Sequence, residues 1–245
     1  MKALKFEIWG DFAHFRKPYT TTSPLTFSLP PRTAMAGIIG AIIGRKKNDV
    51  ICQNQDSFIS ISLLNAVKKT RMAVNLAKFP SIKSVQNGCF DLNKISNRAP
   101  QIRYEFLKDV KYAIYFAHND KSVYESVKRA LENHETVYTP YLGIAQLIAN
   151  FKFTGEYEIQ ENNDEKRFDF KCIIPKKAIK DGNIELEDNA EYFTARIPNR
   201  LDEKRIALEY NEVVFERSGK KTVRATALPK QSWNIKETGE NIIFL

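Results

Sequence analysis

The sequence predicts an α+β protein in which strands and helices follow one another as β-α-β-β-α-β, with a long basic insertion and a smaller β-rich C-terminal part. Three observations predict it. Apolar residues alternate at period two in four separate stretches, helical spacing occurs in two stretches between them, and the character of the chain changes beyond about residue 160.

Taken in order, Leu4, Phe6 and Ile8 alternate with Lys5, Glu7 and Trp9, the pattern of a half-buried strand. Residues 29–44 then read Leu-Pro-Pro-Arg-Thr-Ala-Met-Ala-Gly-Ile-Ile-Gly-Ala-Ile-Ile-Gly. Pro30 and Pro31 hold the approach extended, so the helix is expected to start at Thr33, with its hydroxyl as cap, and to stop at Gly44. At 100° per residue, Ile38, Ile39, Ile42 and Ile43 share one side, while Thr33, Gly37, Gly40, Ala41 and Gly44 share the other. An interior glycine costs about 1 kcal/mol against alanine, so a bare face calls for a compensating reason. Tight packing of the helix on a sheet is the plainer one; approach of a nucleic acid is the other. Arg32 stands beside the helix start, where free amides and the positive dipole end suit a phosphate.

Phe58–Leu64 predicts the second strand, and Val110, Tyr112, Ile114 and Phe116 the third. Ser122 and Glu125 form a capping box ahead of Val123, Val127, Ala130 and Leu131, a helical stripe running to about His134. Phe151, Phe153, Tyr157 and Ile159 predict the fourth strand, with Gly155 marking a bulge. This order is the ferredoxin-like split βαβ plan, two helices covering one face of a four-stranded antiparallel sheet.

Between the second and third strands, residues 68–104 are too long for an ordinary connection. Lys68, Lys69, Arg71, Lys78, Lys83, Lys94, Arg98 and Arg103 alternate there with apolar residues, and Gln86-Asn87-Gly88 suits a hairpin tip. Such an arm fits either a phosphate backbone or a solvated flap over the core. After the polar link Glu161–Arg167 come short strand-like runs at Phe168–Ile174, Tyr192–Ile197, Val213–Phe215, Val223–Ala227 and Ile242–Leu245, with Ser218-Gly219-Lys220 as a hairpin turn and the charged run Asp202–Arg205 as a solvated turn. The expected division is 1–160, carrying the insertion, and 161–245.

With 38 Lys+Arg against 29 Asp+Glu and a formal charge of +9, the chain favours RNA or DNA over acidic partners. Its 245 residues, 43% hydrophobic, suffice for a sizeable core. Cys52, Cys89 and Cys172 match neither a disulfide framework nor a metal site, and neither an export signal nor a membrane span is read, so a cytoplasmic protein is expected. Gly37 and Gly40 lie inside a helix rather than in a dinucleotide-binding turn, and no phosphate-loop or metal-ligand spacing occurs; no cofactor and no metal are expected. The one local cluster able to imitate acid-base chemistry is His14 with Lys17 and Tyr19.

The Leu29–Gly44 segment resembles the first-helix signature of the fifth Cas protein family, CRISPR-associated RAMP proteins. Two further segments match it in the same order: Asn97-Arg98-Ala99-Pro100-Gln101-Ile102-Arg103-Tyr104-Glu105-Phe106-Leu107 with Val110–Tyr115, and the turn Tyr138-Thr139-Pro140-Tyr141-Leu142-Gly143. The opening strand with Phe15-Arg16-Lys17-Pro18 also fits; the length and this loop are most like the type I-B branch. The resemblance implies a non-catalytic subunit of a type I surveillance complex (Cascade) that holds the five-prime repeat-derived handle of CRISPR RNA (crRNA) and caps the backbone filament. It implies as partners crRNA, the backbone RAMP subunit, the large subunit and, through the assembly, target DNA, and it makes the insertion the family's thumb. The RNA-binding residues expected are Arg16, Lys17, Arg32 and Thr33 around the helix start, and Lys69, Arg71, Lys83, Arg98 and Arg103 from the insertion. One branch of the family resembles a metal-independent endoribonuclease using tyrosine, lysine and histidine. Its Lys-His pair does not map here, since Ala117 precedes His118, which leaves His14, Lys17 and Tyr19 as the alternative catalytic set.

Overall fold

The computed structural model describes residues 1–20, 22–46, 49, 56–76 and 100–245. The N-terminal half comprises β1 (Lys2–Ala13), α1 (Arg32–Ile42), β2 (Ser57–Leu63), β3 (Lys68–Asn75), β4 (Gln101–His118), α2 (Lys121–Glu132) and β5 (Asn150–Glu161). β1 is central, antiparallel to β4 on one side and to β5 on the other, and β2 lies antiparallel along the far edge of β4. Phe6 stands between Ile114 and Phe153, and Leu4, Phe6 and Ile8 are all buried, as their alternation predicts. Along β5 the partners step from Lys5 opposite Gly155 to Phe6 opposite Phe153, so Thr154 is the extra residue of a bulge at the expected glycine.

Both helix starts differ from expectation. Pro31, extended at φ −63° and ψ 152°, is the N-cap of α1, and its carbonyl accepts the amides of Ala34 (2.9 Å) and Met35 (3.2 Å). Arg32 and Thr33 are thereby drawn into the first turn, where Thr33 is buried instead of capping. α2 is capped by Asp120, whose carboxylate accepts the Ser122 amide at 2.8 Å; Ser122 lies inside the helix, one turn ahead of the Ser126 hydroxyl that its carbonyl accepts. Asp outcompetes Ser here because it sits before the first turn with extended backbone. The stop of α1 is as predicted. Gly44 takes φ +75°, its amide donates to Ala41 (3.3 Å) and that of Arg45 to Gly40 (2.8 Å), a Schellman closure.

β3 pairs with the first half of β4, from Lys68 opposite Lys108 to Asn75 opposite Gln101, so the insertion leaves the body as a two-stranded antiparallel ribbon. Lys83, Arg98 and the Gln86-Asn87-Gly88 tip lie outside the described residues.

The C-terminal portion comprises β6 (Lys166–Phe170), β7 (Ile174–Pro175), β8 (Ile179–Glu185), β9 (Tyr192–Leu201), β10 (Ala207–Glu216), β11 (Val223–Ala227), β12 (Trp233–Ile235) and β13 (Asn241–Ile242). β12 pairs with the outer edge of β5, and the sheet continues through β13, β6 and β11 to β8 as a ten-stranded sheet; β7, β10 and β9 form a second, three-stranded sheet. The Ser218-Gly219-Lys220 turn therefore closes no hairpin: it carries the chain from β10 in one sheet to β11 in the other. Gly219 sits at φ +68°, where a Cβ would stand 2.6 Å from the Leu63 carbonyl oxygen, so the turn is held by close backbone approach. The first apolar cluster joins Leu4, Phe6, Ile39 and Val127 to Ile197, Val213 and Phe215 from β9 and β10; a second, built on Tyr115, Phe170 and Ile235, fills the other side of the sheet. No described helix is long and apolar enough to cross a membrane.

Candidate nucleic-acid interface

Directly paired residues of an antiparallel ribbon share a face, so the register of β3 on β4 sets Lys69, Arg71, Arg103 and Glu105 together at the root of the arm. The Glu105 carboxylate accepts the Lys69 ammonium at 3.0 Å, lies 3.8 Å from Arg71, and receives the Thr26 amide at 3.4 Å. The Glu105 amide donates to the Pro24 carbonyl (3.0 Å), which fastens the arm to the loop after β1. Arg71 and Arg103 are exposed and Lys69 is partly so.

That loop folds back on itself through an Arg16–Thr26 bridge and the Lys17 amide on the Leu25 carbonyl (2.9 Å). Arg16 is exposed, its guanidinium reaching the Thr20 carbonyl at 3.3 Å, and the Lys17 ammonium lies 5.9 Å from the Phe27 ring centre. Arg16, Lys69, Arg71 and Arg103 thus occupy the joined root of loop and arm.

Arg32 does not. It is buried in the first turn of α1, donating to the Ser57 carbonyl at 2.6 Å and the Asn199 carbonyl at 3.2 Å. A guanidinium committed to two interior carbonyls ties β2 to β9 and presents no fork to a phosphate, unlike the expectation for Arg32; Thr33, in the first turn of α1, is largely buried and lines the groove on the bare face of that helix. The His14, Lys17 and Tyr19 set also separates. His14 is buried, its Nδ1 donating to the Glu105 carbonyl at 2.7 Å and its ring packed against both Tyr104 and Phe106, whereas Tyr19 is 72% exposed. Burial holds the His14 imidazole below its ordinary pKa. His118 accepts the Asp120 amide (3.0 Å) and His134 stacks on Phe151 (4.4 Å), both structural placements.

The bare face of α1 is not pressed against a sheet. A Cβ at Gly37 would meet nothing within 4 Å, and one at Gly40 only the Arg45 Cβ at 3.7 Å. The face opens on a groove of about 1000 Å³ whose other walls are the Tyr138–Gly143 turn and the end of β9, the β9–β10 connection and the start of β10 as far as Tyr210. Gly143 fits this turn because φ is +99° and a Cβ would stand 2.0 Å from the His14 carbonyl oxygen; the turn is clamped to the end of β1 by the His14 amide on the Leu142 carbonyl (2.9 Å). Arg16, Arg45, Lys46 and Arg205 line the groove, with one carboxylate, Asp49, 3.6 Å from Arg45.

Sequence reasoning placed none of Arg45, Lys46, Tyr138, Tyr141, Arg205 and Tyr210 at a site. A basic pair directly after the Gly44 stop was the available signal for the first two. Arg205 is brought by the β9–β10 connection and Tyr210 by the start of β10, a juxtaposition that no spacing in the chain encodes.

The family described as CRISPR-associated protein (Cas_Cas5) matches residues 3–166. Among solved structures, a CRISPR protein from Archaeoglobus fulgidus is similar in fold at a TM-score of 0.58 and 13% identity, with 100% of this chain and 99% of that one covered. A chain of a CRISPR RNA-guided surveillance complex is similar at a TM-score of 0.51 and 11% identity, with 91% of each chain covered. No curated protein sequence matches the chain. A match over most of the N-terminal two thirds, with the glycine-spaced helix, the arm and the Tyr-x-Pro-Tyr-Leu-Gly turn in their expected order, makes this chain a member of the CRISPR-associated Cas5 family of RAMP proteins.

Proposed function

We propose that the protein is a non-catalytic, RNA-binding subunit of a type I CRISPR surveillance complex, of the I-B branch, that grips the five-prime handle of crRNA and caps the backbone filament in the cytoplasm. The observation that carries this reading is the convergence of Arg16, Lys69, Arg71 and Arg103 at the root of the arm. The arm is the thumb and reaches toward the neighbouring backbone RAMP subunit, with Lys83 and Arg98 among its proposed RNA-binding residues; the large subunit and target DNA are met through the assembly. The strand order β5-β1-β4-β2 supports a ferredoxin-like RAMP domain in residues 1–160, with the 161–245 portion grown onto its sheet edge.

Several Lys/Arg on phosphates displace counterions, so affinity for repeat RNA is expected to fall steeply with salt, and Arg103→Ala to lower the log–log salt slope by about 1. Titration of fluorescent repeat RNA at several salt concentrations measures both; an unchanged slope removes Arg103 from the interface. The endoribonuclease alternative is disfavoured by the burial of His14. Incubation of the protein with repeat RNA in EDTA is expected to leave the RNA intact, and site-specific cleavage abolished by His14→Ala would replace the proposal with an enzyme.

A further inference from the structure

One residue fastens the arm to the body of the molecule. Glu105, only 9% exposed in the first half of β4, has its amide on the Pro24 carbonyl (3.0 Å), its carbonyl on His14 Nδ1 (2.7 Å) and its carboxylate on the Thr26 amide (3.4 Å). Thr26 is fully buried, its hydroxyl accepting the Phe15 amide and donating to the Phe27 carbonyl, both at 2.9 Å. The carboxylate therefore reaches into the folded loop after β1, and its side chain is part of how that loop is held.

A carboxylate in this place also carries a negative charge onto the cationic face of the arm. Taken out of water, it needs a cation beside it. Lys69 supplies one: its ammonium lies 3.0 Å from Oε1 and 3.5 Å from the Thr26 carbonyl, and its side chain is only 34% exposed. Two inward acceptors thus hold Lys69. Arg71 is placed differently, its side chain 71% exposed and its guanidinium 3.8 Å from the other carboxylate oxygen, and Arg103 is exposed on the same face. The face consists of a close ion pair of no net charge and two outward arginines.

Resting on the RNA-binding reading above, we infer that Glu105 masks Lys69: the pair meets RNA as a neutral unit, Lys69 is the arm's internal counterion and not a phosphate ligand, and Glu105 sets the charge with which the arm root grips RNA. A phosphate approaching Arg71 meets the field of the same carboxylate. Because the sequence-independent part of RNA affinity follows the number of cations free to displace counterions, Glu105 holds that part down and leaves the grip to Arg71, Arg103 and Arg16.

Glu105→Gln removes the charge and keeps an oxygen that accepts the Thr26 amide. Its affinity for fluorescent repeat RNA is expected to rise about threefold to tenfold at low salt, with the log–log salt slope steeper by about 1. Loss of a residue that only braced the fold would not raise affinity. Lys69→Gln/Glu105→Gln removes the pair as a unit, leaves no buried charge alone, and is expected to bind with the affinity and slope of the unsubstituted protein. Thermal unfolding establishes that each variant is folded at the temperature of the titration. Unchanged or reduced affinity in folded Glu105→Gln overturns the masking. A double variant that loses as much slope as Arg103→Ala overturns it too, because Lys69 is then a phosphate ligand in its own right, and this measurement decides the matter alone if Glu105→Gln does not fold. Failure of the unsubstituted protein to bind repeat RNA at any salt concentration is a separate outcome, which overturns the RNA reading and the masking with it.

Discussion

Arg32 illustrates how one side chain changes meaning between chain and fold. Beside a helix start it reads as a phosphate ligand; in place, its guanidinium supplies donors to the buried Ser57 and Asn199 carbonyls. Arg32→Ala is therefore expected to destabilise the protein by about 2–4 kcal/mol, since buried acceptors lose a charged donor, and to leave the affinity of the folded protein for RNA unchanged. Urea denaturation and RNA titration measure the two effects, and a loss of RNA affinity without loss of stability would restore Arg32 to the interface. His14 adds a pH signature. Burial lowers its folded-state pKa, so the unfolded chain takes up the proton first and stability drains away as pH falls below the ordinary histidine value of about 6.5. The carboxylates held low by their hydrogen bonds and ion pairs, Glu156, Glu158, Glu209 and Glu216, act only at more acidic pH. The melting temperature is thus expected to decline between about pH 7 and 5. A flatter decline in His14→Asn would assign it to this ring, and an identical one would assign it elsewhere.

At the scale of elements, the glycines of α1 and of the Tyr-x-Pro-Tyr-Leu-Gly turn make opposite predictions. Gly37→Ala meets no neighbour and is expected to stabilise by about 1 kcal/mol, the ordinary gain in helix propensity. Gly143→Ala would place a Cβ 2.0 Å from the His14 carbonyl oxygen at φ +99°, and is expected to cost more than about 2 kcal/mol because backbone must move. Thermal unfolding of the pair checks the contrast; a destabilised Gly37→Ala would mean that the helix face is packed after all. The arm obeys the same element-level logic. Lys69, Arg71 and Arg103 fall on one face because antiparallel pairing at period two puts them there, and Glu105, on that same face, holds Lys69 and Arg71 in position.

At the scale of the whole molecule, β12 continues the sheet from β5, and Ile197, Val213 and Phe215 complete the core around α1. A fragment cut at residue 160 would expose a strand edge and half a core, so the full chain is expected to unfold in one cooperative transition and the fragment 1–160 to aggregate; a soluble, cooperatively folding fragment would establish an independent domain. Short strands such as β8 and β12 escaped sequence reading because their residues carry little alternation and take extended form by pairing with distant partners. By itself the chain determined what local periodicity and backbone sterics control: the alternating strands, the glycine stop of α1, the bulge at Gly155 and the basic arm with its family signature. Tertiary structure alone decided that Arg32 is interior, that His14 is sequestered from Tyr19, and that a glycine face, three tyrosines and a set of cations share one groove. Burial and proximity between segments more than a hundred residues apart arise from how the sheets and helices close on one another, and no local pattern carries that information.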